Sequence, residues 1–152
     1  MLENNLKVSA TFSPWNRISF SSGYQFNETG INNFERINNP FFELTDKQVL
    51  RTHSFFVSSD VGTWENTSLN MGVRGNYIDK FDTFILEPRL AFHQRFAKYF
   101  VFEVLGEMKS QTTSQIVDLQ EDFLGIENRR WVLSDNENLP IITSRQISSG
   151  IT

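Results

Sequence analysis

The chain has 152 residues and a formal net charge of -4; that is long enough for one domain with a core and too short for two, and its singly scattered basic residues exclude the clustered footprint of a nucleic-acid binder. Cysteine is absent, which excludes disulfides, thiolate metal sites and a cysteine nucleophile. Phenylalanine supplies 15 residues, yet no run reaches the roughly 18 apolar residues of a membrane-spanning helix, while a β-barrel stays allowed because its signal per strand is weaker.

The first residues, Met1-Leu2-Glu3-Asn4-Asn5, carry neither the basic nor the apolar segment of a signal peptide, so an exported protein is expected to be represented here by a mature segment or an excerpt. Leu6, Val8, Ala10 and Phe12 then alternate with Lys7, Ser9 and Thr11, the period of two that gives a strand one apolar face. The same alternation returns with Ile18, Phe20, Tyr24 and Phe26. A three-residue loop of Pro14, Trp15 and Asn16 would set Phe12 against Ile18 and Ala10 against Phe20, keeping like faces together.

Residues 27–48 are rich in Asn and interrupted by Gly30 and Pro40, and read as a long polar loop. Further strands are expected over residues 50–61, 68–77, 84–96 and 100–113, joined by short connections at 62–66 and 97–99 and a medium one at 79–82. Residues 114–139 form a second long polar segment, in which Ile116, Leu119, Phe123 and Ile126 fall at helical spacing behind a Ser114 cap, a pattern that fits either a short amphipathic helix ending near Gly125 or an irregular segment. A seventh strand begins at Ile142.

The pairing of the fifth and sixth strands can be derived from charge, because one register should satisfy both faces at once. Setting Phe96 against Phe100 places His93 opposite Glu103, Arg89 opposite Glu107 and Glu87 opposite Lys109, so every charged pair is complementary. Slipping two residues either way brings Glu87 against Glu107 or Arg89 against Lys109, both repulsive. The chosen register also aligns Phe92 with Val104 and Pro88 with Met108 on an apolar face.

Connections alternate between short at one end of the strands and longer at the other, and strands of about ten residues suit a barrel wall. Trp15, Tyr24, Phe26, Trp64, Tyr77, Phe96 and Tyr99 stand near strand ends, where interfacial aromatic girdles lie. Arg51 and His53 share parity with Phe55 and Val57, so either they sit beyond the apolar band or the strand does not start at residue 50.

The stretch Phe84-Ile85-Leu86-Glu87-Pro88-Arg89-Leu90-Ala91-Phe92, with Trp131-Val132-Leu133-Ser134-Asp135 and Leu139-Pro140 further on, resembles TonB-dependent outer-membrane receptors. The phrase Leu86-Glu87-Pro88-Arg89 looks like a recurring strand signature of that family. The resemblance implies a barrel of about 22 strands around an internal plug, ligand capture by outer loops, and energy delivered by the TonB complex. The family's plug domain, its TonB-contacting segment and a terminal strand ending in an aromatic residue have no counterpart in these residues.

The expectation is therefore an all-β, antiparallel up-and-down meander over residues 1–152, forming about six or seven strands of a transmembrane β-barrel wall in the bacterial outer membrane. The Leu6, Phe12, Phe20, Val73 and Phe92 face is expected to meet lipid. Arg89, Glu107, Glu87, Lys109, His93 and Glu103 are expected to form ion pairs lining the lumen. Arg129, Arg130, Trp131 and Asp135 are candidate ligand contacts on an outer loop, since binding groups concentrate on loops held by a rigid wall.

No phosphate-binding Gly loop, zinc-ligand spacing or nucleophile elbow occurs, so neither catalysis nor a cofactor is expected. Glu103 and Glu107 share a strand face as a glycosidase carboxylate pair would, but the register gives them to His93 and Arg89. The expected partners are membrane lipid, the TonB complex acting through a plug, and a nutrient ligand such as an iron chelate, vitamin, glycan or peptide. The alternatives are a small porin- or adhesin-type barrel and a soluble β-sandwich binding module.

Overall fold

Alternation of apolar and polar positions gives strands along most of the chain. A computed structural model describes residues 1–38, 41–64, 66–96, 99–118, 128–135 and 138–152. The strands are β1 (Leu2–Trp15), β2 (Ile18–Asn38), β3 (Phe41–Trp64), β4 (Thr67–Ile78), β5 (Thr83–Phe96), β6 (Phe100–Gln111), β7 (Thr113–Asp118), β8 (Asn128–Leu133) and β9 (Ile142–Ile151). Seven of them form one antiparallel sheet in the order β1-β2-β3-β4-β5-β6-β9, and β7 pairs with β8 in a separate two-stranded sheet. The expected all-β meander is thus observed, with a hairpin inserted between its last two strands.

The fifth and sixth strands pair as charge demands: Phe96 lies opposite Phe100, His93 opposite Glu103 and Arg89 opposite Glu107. The first hairpin differs from expectation. Phe12 faces Phe20 and Ala10 faces Ser22, while Trp15 pairs with Ile18 across a two-residue turn of Asn16 and Arg17. The register shifts between Phe12 and Trp15, where Pro14 has no N–H for the ladder, and a bulge absorbs the extra residue without changing which face is apolar.

Residues 27–48 also depart from the expected loop. The β2–β3 ladder runs unbroken from Asn27 opposite Thr52 to Asn38 opposite Phe41. Its bonds are made by backbone groups, which an Asn-rich composition still supplies, and β-propensity is a weak guide against a partner strand. Ile116 lies on β7 opposite Arg130, so the helical alternative does not begin there; Leu119, Phe123 and Ile126 lie outside the described residues.

The register places rows of like side chains across the sheet. Leu6, Phe26, His53, Tyr77 and Phe84 form one such row, and Val57, Val73 and Pro88 belong to another. On this face Phe12, Phe55, Val57, Phe84, Leu86 and Ile147 are exposed, and the β7–β8 hairpin lies on the other side. The buried apolar cluster of Ile31, Leu50, Ile78 and Leu133, with Phe81, Ile85 and Ile141 packed against it, sits on the polar side at the end with the longer connections. Leu133 of β8 closes over residues from β2, β3 and β4 there and is only 1% exposed.

Beyond the aromatic row, Arg51 Nε donates to Glu28 Oε2 at 2.8 Å, and the Asn4 amide also reaches Glu28. His53 lies within the aromatic row itself, with its ring centroid 5.1 Å from Phe26 and 6.4 Å from Tyr77. Tyr24 Oη is 2.7 Å from His53 Nδ1. Arg51 and His53 are therefore a polar edge and an aromatic edge of the apolar band. At the opposite end, the Phe96 and Phe100 rings stack at 5.9 Å.

Candidate functional site

The polar face gathers its charged groups on β4, β5 and β6, because Arg74, Glu87, Arg89, Glu103, Glu107 and Lys109 all fall on one parity of their strands. His93 Nδ1 meets Glu103 Oε1 at 3.3 Å. The other expected ladder pairs share out differently. Lys109 Nζ donates to Glu107 on its own strand at 2.8 Å, and Glu87 accepts the Ser110 backbone N–H at 2.8 Å together with the Ser110 hydroxyl.

Proline accounts for this exchange. The β5–β6 pairing ends at Arg89 and Glu107, next to Pro88, which cannot donate to a ladder. The Ser110 N–H is thereby left for a side-chain acceptor, and Glu87 supplies it. At 7% exposure, the Glu87 carboxylate needs such donors to offset its lost hydration.

Ser54, Arg74 and Asn76 form a hydrogen-bonded group across β3 and β4. The Ser54 hydroxyl donates to Asn76 Oδ1 at 2.7 Å; Arg74 donates from Nε to the same oxygen and from Nη2 to Ser54 Oγ, each at 3.0 Å. Ser54 is 0% exposed. This group and Glu87 line a recess of about 250 Å³ that also includes Asn27 and Thr112. Comparison with protein-family models, curated proteins and solved structures finds no match for this chain.

Chemically, the recess offers hydrogen-bond donors and acceptors on a polar wall, suited to holding a polar ligand or water. Among the described residues, no three His, Asp or Glu side chains come together as a metal-binding group. Arg74, Ser54 and Asn76 were legible in the sequence only as polar positions on an alternating strand. Their mutual bonding depends on the β3–β4 register, in which Ser54 lies opposite Asn76.

The four candidate ligand contacts lie on or just after β8. Arg129 and Arg130 stand opposite Val117 and Ile116, and their side chains lie outside what is described. Trp131 is exposed, while its carbonyl accepts from Asn33 Nδ2 at 3.0 Å. Asp135 Oδ1 accepts the backbone N–H groups of Asn138 and Leu139 at 2.9 and 2.8 Å, and the Asp135 N–H donates to the Leu139 carbonyl at 3.1 Å. Its carboxylate therefore holds a turn closed, a role typical of Asp.

Proposed function

We propose that this chain forms part of the wall of a bacterial outer-membrane β-barrel of the TonB-dependent receptor kind, with its apolar face toward lipid and its polar face toward the lumen. In that role it takes part in uptake of a nutrient such as an iron chelate, vitamin, glycan or peptide, with energy from the TonB complex reaching the barrel through a plug domain.

The observation that carries this reading is the uncovered apolar face itself: Leu6, Val8 and Phe12 on β1, Phe55 and Val57 on β3, Phe84 and Leu86 on β5 and Ile147 on β9 share one side of the sheet and are exposed. An apolar face of that extent suits contact with acyl chains rather than water.

Band height agrees. On β2 it covers residues 18–26 and on β3 residues 53–61, close to the roughly 9–11 residues a tilted strand needs to cross hydrocarbon. The aromatic row of Phe26, His53 and Tyr77 and the stacked Phe96 and Phe100 then occupy its two edges, as interfacial girdles do.

The test is flotation of the refolded chain with phospholipid vesicles, coupled to quenching of tryptophan fluorescence by lipids brominated along their acyl chains. Co-flotation with quenching is expected. A chain that stays monomeric in detergent-free buffer and remains with the dense fraction would be a soluble β-protein, and the membrane reading would be discarded.

A further inference from the structure

We infer that the polar face carries a binding site for a small oxyanion, a carboxylate or phosphate group, in a recess between Lys7, Arg74 and Arg89. It goes beyond the uptake role, since the recess is built on the polar face whatever the apolar face contacts.

Lys7, Phe56, Ser58, Gly72, Arg74 and Arg89 line this recess of about 200 Å³. Gly72, which lies directly opposite Arg89 in the register, is one of the residues lining it, and a Cβ there would stand 3.1 Å from Ser58 Cβ. Lys7 reaches in from β1 with its ammonium 5.1 Å from the centre of the Phe56 ring. Three cations on three strands thus surround one opening.

The carboxylates that should neutralise them are engaged elsewhere. Glu87 is the register partner of Arg74 and Glu107 that of Arg89. Glu107 is instead held by Lys109, and Glu87 accepts from the Ser110 N–H and hydroxyl. Among the described residues, Arg74 donates to the neutral oxygens of Ser54 and Asn76. Arg89 is exposed and makes no hydrogen bond or ion pair among the described residues. Like charges gathered with no counter-ion repel, and an oxyanion between them removes that repulsion while meeting the planar donor fork of Arg89.

Calorimetric titration of the purified chain at low salt with citrate and, separately, with inorganic phosphate tests the site. Saturable binding of at least one anion is expected, weakened about tenfold or more by Arg89→Gln, weakened also by Lys7→Gln, and unaffected by Lys80→Gln in the Asp79–Phe81 turn. Arg89→Gln removes no bond, so its circular dichroism should match the parent; should it misfold, Lys7→Gln carries the comparison. Absence of saturable heat with both anions, or equal affinity in parent, Arg89→Gln and Lys7→Gln, would overturn the assignment.

Discussion

The Phe56 ring and the Val8 carbonyl together occupy the space that a side chain on Gly23 would need: a Cβ there would stand 2.6 Å from Phe56 Cζ and closer still to the Val8 oxygen. Gly23 and Phe56 are directly opposite on β2 and β3, so the aromatic ring covers the bare glycine backbone beside it. Gly23→Ala should displace both the ring and the β1 backbone at Val8, at a cost of about 1–3 kcal/mol, read as a lower urea midpoint. Gly30→Ala, whose added carbon would approach nothing nearer than 3.8 Å, should stay within about 0.5 kcal/mol. Combining Gly23→Ala with Phe56→Ala should cost somewhat less than the two changes summed, because the ring clash is gone while the approach to the Val8 carbonyl remains; strict additivity would show that ring and glycine are not coupled.

Val57 and Val73 face each other near mid-height of the apolar band. Replacing either with Lys should weaken vesicle association by about 2–4 kcal/mol, the cost of a lysine at the bilayer midplane, while leaving the fold of a soluble chain nearly intact. Flotation yields give the measurement. Lysine at Gln146, on the polar face opposite Glu107, should leave flotation unchanged.

The Ser54, Arg74 and Asn76 group gives an ordered pair of effects. Asn76→Ala removes the oxygen that accepts from both Ser54 and Arg74, leaving a buried hydroxyl and a guanidinium N–H without their acceptor, for a loss of about 1–3 kcal/mol. Ser54→Ala leaves Asn76 Oδ1 still bonded to Arg74 and should cost less. Denaturant midpoints of the two variants check the order; equal losses would mean that packing, not hydrogen bonding, dominates there.

Glu28 lies outside the band, and its carboxyl titrates below the usual range because Arg51 and then Asn4 hydrogen-bond to its charged form. A depressed folded value means that its contribution is fully present above the ordinary carboxyl pKa of about 4.3 and is lost as pH falls through the lowered value. Glu28→Gln should therefore be less stable than the parent at neutral pH, the two converging in acid. A gap that persists unchanged to the lowest pH would point to a different cause.

Much of the sheet was legible because charge and parity punish the wrong register. Arg89, Glu107, Glu87 and Lys109 exclude a two-residue slip of β5 on β6, and the observed pairing agrees. The side-chain partners were not legible, since Pro88 leaves the Ser110 N–H to Glu87 and Lys109 then turns to Glu107. The first hairpin slipped by two residues for a related reason: Pro14 sits in a bulge that alternation alone does not reveal. The arms of residues 27–48 were hidden because Asn and Gly suggest turns, whereas strand pairing depends on backbone donors that these residues retain.

What the amino-acid order determined by itself is which side chains share a face, because successive residues of a strand point to opposite sides and the apolar ones recur at every second position. Only the tertiary structure decided where the core lies and which cations keep no carboxylate. Leu133 must arrive from β8 to close over Ile31, Leu50 and Ile78, and Arg89 is left without a partner among the described residues by choices made at Pro88, Ser110 and Lys109. Both outcomes depend on groups that meet only after the chain has folded back on itself.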